Sequence, residues 1–247
     1  MKTYSYLDFL AYMGIGSAHP GGFHITEKIL KNENIKPQHH VLDVGCGTGI
    51  TSAYLARQWN CQVSAIDIHP EMIKKAQRRF IFEGLPIQLV QGNAEHLPFK
   101  KETFDYVITE SVTAFTTIPL SLQEYSRVLK KDGVLIMLEM TALADLTDYE
   151  KNEIEELYDI SEILDKNEWT IKLTQAGFDN VTIIHTGSPL QQEQPETFGE
   201  NSGNFVPIIE PSEQIEPSIY ETWSKHELLL RKYAEKLGYS VFRAIRK

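Results

Sequence analysis

The stretch VLDVGCGTG at residues 41–49 constrains the fold of this 247-residue chain more than any other segment. Val41, Leu42 and Val44 have the apolar character of a strand that is buried on both faces, as in a parallel sheet. Three glycines follow at every second position, which favours a tight turn and lets another molecule approach the backbone closely. Asp43 is costly inside such a strand unless a charged or hydrogen-bonding partner meets its carboxylate. The segment therefore predicts a ligand-binding loop at the carboxyl end of a parallel strand.

Strand-like and helical patterns alternate after this loop. Further strands are predicted at residues 62–68, 87–94, 104–111 and 133–140, and helices at residues 50–58, 70–84 and 119–130. This alternation predicts an α/β fold, a doubly wound sheet with helices on both faces and right-handed crossovers.

The pattern changes beyond the fifth strand. Residues 148–168 carry nine acids against two lysines together with an apolar face, which predicts one acidic helix over a side of the sheet. Residues 171–187 predict a short helix capped at Gly177 and a sixth strand, and residues 187–217 predict a long loop. An amphipathic helix and an alternating strand at 239–247 end the chain. We expect a mostly parallel seven-stranded sheet with an antiparallel C-terminal strand, an N-terminal lid and a long insertion before the last strand.

Composition excludes several classes of protein. The net charge of −10 argues against a general polyanion binder. Two cysteines make no disulfide framework, so a reducing cytoplasm is the expected compartment. The N-terminus lacks the features of a signal peptide, and the longest apolar run, residues 134–138, is too short to cross a membrane. The eight histidines show no spacing typical of metal ligands, so no metal is expected.

The spacing of the glycines bears on the kind of ligand. A dinucleotide loop requires G-x-G-x-x-G, but here the pattern is G-x-G-x-G, with Ile50 where the third glycine belongs. The second predicted strand ends at Asp67, eighteen residues after Gly49, where a carboxylate can accept hydrogen bonds from both hydroxyls of a ribose. The loop therefore favours a nucleoside-containing ligand other than a dinucleotide.

Four segments carry a resemblance to a known family: VLDVGCGTG (41–49), AIDIHPEMI (65–73), GNAEHLPF (92–99) and FDYVITESVTAF (104–115). In this order they resemble the motifs of the class I S-adenosylmethionine-dependent methyltransferases, over roughly residues 19–140. The resemblance implies a Rossmann-like fold, S-adenosylmethionine as the cofactor, S-adenosylhomocysteine as its product, and methyl transfer as the reaction. It divides a single domain, 1–247, into an N-terminal lid and helix (1–35), a cofactor-binding core (36–143), and the elements that complete the sheet and the substrate side (144–247).

The resemblance also implies roles for individual residues. Asp67 would hold the ribose, Ile68 would pack on the adenine, and Asp43 would meet the ammonium group of the ligand. Asn93 and Ala94 would edge the adenine, although an acid is common at the position of Asn93. The residues expected to bind the cofactor are Gly21, Gly22, Thr26, Asp43, Gly45, Cys46, Gly47, Gly49, Asp67, Ile68, Met72, Asn93, Ala94, Glu110 and Ser111.

The segment GSAHPGGFHITEKIL (16–30) resembles a stretch that some of these enzymes carry before the first strand. Its backbone amides at residues 19–22 suit a lid over the methionine carboxylate, and the alternative is a turn followed by a helix capped near Thr26. Methyl transfer depends mainly on in-line positioning and exclusion of water, and a general base matters only for a protonated acceptor. The candidates for that base are Glu110, His19 and Tyr12.

We expect the acceptor to be a small molecule that is uncharged or cationic, because the acidic segment lies where this family elaborates its acceptor site. Possible pocket walls are Tyr6, Tyr12, Phe198 and Phe205. The basic residues Lys74, Lys75, Arg78 and Arg79 are expected on the exposed face of their helix, so no nucleic acid or membrane partner is predicted. We expect a monomer or a homodimer. The alternative function is a catalytically silent S-adenosylmethionine-binding or protein-interaction module.

Overall fold

A computed structural model describes residues 4–188 and 210–247, and within them seven strands form one sheet. The strands are β1 (His40–Val44), β2 (Gln62–Asp67), β3 (Gln88–Gln91), β4 (Phe104–Glu110), β5 (Leu129–Ala142), β6 (Phe178–Gly187) and β7 (Leu237–Arg246). Their order across the sheet is β3-β2-β1-β4-β5-β7-β6. The first five run parallel, and β7 lies antiparallel between β5 and β6. The predicted mostly parallel sheet with an antiparallel C-terminal strand is confirmed.

Helices cover both faces of the sheet. They are α1 (Tyr6–Met13), α2 (Gly22–Lys31), α3 (Ile50–Trp59), α4 (Pro70–Glu83), α5 (Ile118–Val128), α6 (Asp148–Tyr158), α7 (Lys166–Gln175) and α8 (Pro217–Lys232). Neighbouring strand residues face opposite layers: Leu42 packs with α5, α6 and α7, whereas Val41 packs with α2 and α3. Burial on both faces explains the continuous apolar run of the first strand.

The acidic segment 148–168 is not one helix, as the sequence predicts, but parts of two. Helix α6 ends at Tyr158; the next residue, Asp159, adopts a left-handed conformation (φ 55°), and α7 starts after Asp165. Asp165 caps α7 by accepting hydrogen bonds from the amides of Asn167 and Glu168. Apolar residues of the connection are buried, so the apolar pattern continues through a break that it does not reveal.

The structure contradicts two local interpretations of the sequence: the cap near Thr26, which is part of the alternative to the lid, and the exposure of Lys75 and Arg79. Helix α2 begins at Gly22 after the left-handed Gly21, so Thr26 lies inside the helix and does not cap it. Lys75 and Arg79 of α4 are buried rather than exposed, because they bind backbone and side-chain oxygens of other segments. The predicted pocket walls Phe198 and Phe205 lie outside the described residues.

Candidate functional site

Four acids lie at or near the carboxyl ends of four neighbouring strands. They are Asp67 on β2, Asp43 on β1, Glu110 on β4 and Glu139 on β5. Parallel strands bring their carboxyl ends to one edge, and this edge of an open α/β sheet is where ligands bind. All four carboxyl groups are largely withdrawn from solvent, so each requires hydrogen-bonding partners.

The glycine loop between β1 and α3 leaves open space at one position. All three of its glycines have positive φ values, 70° at Gly45, 54° at Gly47 and 80° at Gly49. A Cβ atom at Gly45 or Gly49 would overlap Val112 or Phe80, so these glycines serve close packing. Among the residues that the structure describes, a Cβ at Gly47 would meet only the Met72 sulfur, 4.0 Å away. The backbone of Gly47 therefore borders a space that a ligand can fill.

Asp67 lies beside that space. Its Oδ2 accepts a hydrogen bond from the Gly47 amide at 2.8 Å, and its Oδ1 accepts one from the His69 amide, also at 2.8 Å. Burial raises the pKa of Asp67, and these amides oppose that effect. The next residue, Ile68, is 58% exposed, which leaves an apolar surface beside the carboxylate.

Cys46 and Met72 line the same region but are buried. Cys46 packs with a small group of alanines and Phe80, and burial raises the pKa of its thiol well above the ordinary value. The thiol therefore stays protonated and is a packing group rather than a nucleophile.

The buried carboxyl of Asp43 has a neutral partner. Ser52, in the first turn of α3, donates a hydrogen bond to Asp43 Oδ2 at 2.5 Å. Burial raises the pKa of Asp43 to about 7, the Ser52 hydroxyl opposes this, and the nearby Glu110 and Asp67 carboxylates add to it. Asp43 is therefore poised to ionise when a cation arrives.

Glu110 joins the N-terminal segment to the sheet. Thr26 donates a hydrogen bond to its Oε1, and Thr51 donates to its Oε2 at 2.7 Å. His19 Nε2 lies 3.1 Å from Thr26 Oγ1 and 3.4 Å from Glu110 Oε1. The structure thus brings together three residues predicted from distant parts of the sequence, and adds Thr51. A hydroxyl in the first turn after the glycine loop was the signal that could have found Thr51.

Tyr12 lies near a different part of the site. Its ring packs edge-on against His69, with 5.9 Å between ring centroids. His69 caps α4 by accepting a hydrogen bond from the Glu71 amide at 3.1 Å, and its Nε2 lies 3.3 Å from Asp8 Oδ1 of α1. Among the described residues, no recorded contact joins Tyr12 to Glu110 or His19, so the three predicted base candidates do not form one group.

The remaining predicted site residues lie at the same edge. Ala94 is buried, and the side-chain oxygen of Asn93 accepts a hydrogen bond from the Glu95 amide at 2.8 Å. Ser111 follows β4 with a positive φ of 56°. Gly21 packs against Ile25 and Tyr239, whereas a Cβ at Gly22 would meet no atom of the described ranges within 4 Å.

Glu139 is a site residue that the sequence analysis missed. It is fully buried, and its carboxylate accepts hydrogen bonds from the amides of Val112 (3.2 Å), Thr113 (2.8 Å) and Ala114 (3.4 Å). Burial raises its pKa to about 7 in spite of these donors. It fixes the short 3-10 turn after β4, whose Val112 packs against Gly45. An acid near the end of the fifth strand is the same signal that identified the other three.

Three buried hydroxyls around the glycine loop have no hydrogen-bond partner within the described residues. They belong to Ser17, Thr48 and Ser111. The N-terminal segment packs closely here, since a Cβ at Gly16 would overlap Thr48 and Ile50. Unpaired buried hydroxyls are costly, so these three are candidates for contacts with a polar ligand.

The described residues, 4–188 and 210–247, show no group of three or more His, Cys, Asp or Glu side chains that could hold a metal ion. Within the same ranges, no helix is long and apolar enough to cross a membrane.

This arrangement defines a class of protein. A parallel sheet with a glycine loop after β1, an acid at the end of β2 and open space between them is a Rossmann-like nucleoside-binding fold. Comparisons with known proteins narrow the class. A model described as a methyltransferase domain matches residues 41–133. An uncharacterized methyltransferase of Bacillus subtilis (strain 168), YodH, is 34% identical over 237 residues, which cover 96% of this chain and 97% of that protein.

Solved structures agree on the fold. The MccD protein superposes with a TM-score of 0.71 at 17% identity, covering 94% of this chain and all of that one. Phosphoethanolamine N-methyltransferase 2 of Haemonchus contortus, solved with S-adenosyl-L-methionine, gives a TM-score of 0.74 at 18% identity and covers 98% of this chain but 57% of that one. The chain belongs to the methyltransferase family, and it is a class I S-adenosylmethionine-dependent methyltransferase.

Proposed function

We propose that this methyltransferase binds S-adenosylmethionine along the carboxyl edge of β2, β1 and β4 and transfers its methyl group to a small-molecule acceptor. The observation that carries the proposal is the open space at Gly47 beside the Asp67 carboxylate. A side chain at Gly47 would fill it, and each Asp67 oxygen keeps a lone pair for a further donor.

The nucleoside end of the ligand fits β2 and its surroundings. We assign the ribose hydroxyls to Asp67. We assign one face of the adenine to Ile68, because its exposed apolar side chain would become buried on binding. Asn93 and Ala94 follow β3 and are assigned to the adenine edge. Met72, 4.0 Å from the Cβ position at Gly47, supports the wall of this space.

The amino-acid end fits the opposite part of the edge. We assign its ammonium group to Asp43 and Glu110, because the Glu110 carboxylate lies close enough to add to the raised pKa of the buried Asp43. The unpartnered hydroxyls of Ser17, Thr48 and Ser111 supply further polar contacts. Because a Cβ at Gly22 would meet no described atom within 4 Å, its backbone is open to a contact with the ligand carboxylate.

Glu110 is better suited to hold the ligand than to remove a proton from the acceptor. Both of its oxygens already accept hydrogen bonds from threonine hydroxyls, which hold the carboxyl group in place and occupy the atoms that would take a proton. We therefore assign Glu110, with Thr26, Thr51 and His19, to fixing the N-terminal segment over the ligand.

The proposed mechanism depends on the alignment of the methyl donor and on the exclusion of water. The sulfonium group, when bound, supplies an activated methyl. The chain aligns the donor through Asp67 and Asp43, and excludes water by closing the segment before α2 over it. No base at the cofactor edge is required for an acceptor that arrives unprotonated.

Calorimetric titration tests the proposal directly. Wild-type protein should bind S-adenosylmethionine and S-adenosylhomocysteine but not NAD, and a metabolite panel should contain an acceptor that yields S-adenosylhomocysteine. Cofactor binding without turnover of any acceptor would favour the silent-module alternative. Loss of both would overturn the proposal.

The variant Gly47→Val should abolish binding, since its side chain occupies the ligand space. Gly84→Val is the matched control, because Gly84 at the end of α4 has a similar φ of 64° and equally open surroundings. Both variants carry the same type of backbone strain, on the order of 1–2 kcal/mol or more for a branched residue. Equal cofactor affinity in the two variants would remove the Gly47 space from the site.

A further inference from the structure

A cluster of aromatic rings lies outside the proposed cofactor contacts. Tyr6 of α1 is at its centre, with its ring centroid 4.8 Å from that of His226, 5.0 Å from that of Tyr158 and 6.2 Å from that of Phe115. The four rings come from α1, α8, α6 and the turn after β4. None of these elements belongs to the part of the sheet that holds the nucleoside. We call these four residues the aromatic cluster.

The aromatic cluster adjoins the cofactor edge. Phe115 ends the short turn that begins after Glu110 and Ser111, and this turn is fixed by Glu139. Val112 of the same turn packs against Gly45 of the glycine loop. The aromatic cluster is thus connected through one turn to the donor site, at the β4–β5 end of the edge and away from the nucleoside contacts at β2.

The aromatic cluster contains a buried hydrogen-bonded pair. The Tyr158 hydroxyl and His226 Nδ1 are 2.8 Å apart. Burial lowers the pKa of His226 below its ordinary value and raises the pKa of Tyr158, so both groups are neutral near pH 7. The pair can exchange a proton between imidazole and phenol, and the imidazole can take one from a neighbouring group.

The electrostatic surroundings of the aromatic cluster are negative. Burial is the main cause of the raised pKa values of Tyr6 and Tyr158, and the Glu227 carboxylate adds to them. At His226 the same carboxylate opposes the larger effect of burial, which lowers the pKa. Its Oε1 accepts a weak hydrogen bond from Trp223 at 3.4 Å, and its Oε2 lies 3.7 Å from the exposed guanidinium of Arg231. Faces of aromatic rings and a carboxylate together favour a positive charge.

We propose that the aromatic cluster is the acceptor site of this methyltransferase and that the acceptor presents an uncharged amine nitrogen. This rests on the proposed function. The nitrogen lone pair forms the new N–CH3 bond while the S–CH3 bond breaks, so the positive charge moves from sulfur to nitrogen and the sulfonium becomes a thioether. A proton of a primary or secondary amine then passes to His226 or to water. The ring faces stabilise the nitrogen cation as it forms.

A pair of probes of the same shape tests the charge preference. Choline has a positively charged quaternary nitrogen where 3,3-dimethylbutan-1-ol has a neutral quaternary carbon. We expect choline to bind the S-adenosylhomocysteine-loaded protein at least tenfold more tightly, measured by titration calorimetry or saturation-transfer NMR. Equal affinity, or tighter binding of the alcohol, would show an apolar site and overturn the inference. Binding of neither probe would also overturn it.

Variants locate the site. Phe115→Leu should weaken choline binding at least fivefold and leave S-adenosylhomocysteine affinity within twofold of wild type. Phe82→Leu is the control, because Phe82 on α4 is 92% exposed and has no part in the aromatic cluster. Unchanged choline binding in a folded Phe115→Leu protein would contradict the assignment. Failure of wild-type protein to bind S-adenosylhomocysteine would overturn the proposed function and the inference together, whereas normal S-adenosylhomocysteine binding without choline binding would overturn the inference alone.

Discussion

Asp43 is a single residue whose charge is expected to change when the ligand binds. In the free protein its only recorded side-chain hydrogen-bond partner among the described residues is a serine hydroxyl, and burial holds its pKa at about 7. An ammonium group at the proposed position would favour the carboxylate, and the pKa would fall on binding. Under the proposed function, the position of an acid inside an apolar strand is explained by the ligand rather than by the fold.

This arrangement predicts that S-adenosylmethionine binds more tightly as pH rises from 6 to 8. Below pH 7 Asp43 is mainly protonated and offers no charge to the ammonium, so binding requires loss of a proton, and affinity increases as that proton leaves. Calorimetry in two buffers of different ionisation enthalpy should record proton release near pH 6.5. In Asp43→Asn the affinity should be lower, and the release should disappear. An affinity that is independent of pH in the wild type would contradict the assignment of Asp43.

Glu139 predicts an effect on stability. Its carboxylate accepts three backbone hydrogen bonds in a fully buried position. Glu139→Ala leaves those donors unpaired, so the free energy of unfolding should fall by at least about 1–3 kcal/mol, the cost of one buried unsatisfied group. Glu139→Gln keeps an oxygen for Val112 and Thr113 and should recover most of that loss. Urea unfolding measures both.

The raised pKa of Glu139 fixes the sign of its pH dependence. The folded-state pKa of about 7 exceeds the ordinary value of 4.5, so the folded state holds the proton more tightly than the unfolded state. The contribution of Glu139 to stability is therefore complete below about pH 4.5 and is lost as pH rises through 7. The decline in stability between pH 5 and 8 should be shallower in Glu139→Gln. An equally steep decline would show that Glu139 does not titrate in this range.

At the scale of elements, α4 connects two segments that lie far apart in the sequence, the end of α1 and residues 210–212. The Lys75 ammonium, 1% exposed, donates hydrogen bonds to the Glu210 carbonyl and to Ser212 Oγ (3.2 Å). The amides of Glu210 and Ser212 in turn donate to the carbonyls of Gly14 and Tyr12, at 3.2 and 2.7 Å. Residues 210–212 therefore lie along the end of α1 and are held there by a buried charge. We therefore propose residues 210–212 as a second part of the lid that the sequence predicts at the N-terminus.

Replacing Lys75 should loosen both parts. Lys75→Met keeps the volume of the side chain but removes its charged hydrogen bonds, worth about 1.5–3 kcal/mol. Amide hydrogen exchange in residues 12–16 and 210–214 should become roughly tenfold faster or more, since opening costs that much less. Lys74→Met is the control, because Lys74 is exposed and contacts only Glu71 among the described residues. Equal exchange in the two variants would show that Lys75 does not hold the segments together.

The elements also show what the sequence could predict and what it could not. Strands and helices of the core follow local rules, and α4 with Pro70 in its first turn and Gly84 at its end has the predicted bounds within a residue. The break at Asp159 and the burial of Lys75 depend on contacts across more than a hundred residues or on a single backbone dihedral. Periodicity reports which positions are apolar, and it cannot report which charged side chain meets a distant carbonyl. The same limit hid the aromatic cluster, whereas Glu139 carried the strand-end signal of the other three acids and was overlooked.

At the scale of the whole molecule, charge predicts which partners are excluded. The net charge is −10, and nucleic-acid binding depends on the release of counterions by exposed lysines and arginines. Of the four basic residues clustered on α4, Lys75 and Arg79 are buried in hydrogen bonds, so this patch is weaker than the sequence suggests.

We therefore expect no measurable retention of tRNA or duplex DNA in a filter-binding assay at 50 mM salt with micromolar protein. Lys74→Glu combined with Arg78→Glu should change nothing, because these two residues offer too few charges for stable binding to phosphates at that salt concentration. Binding at submicromolar protein that weakens steeply with salt, and is lost in the double variant, would show that the local patch outweighs the net charge.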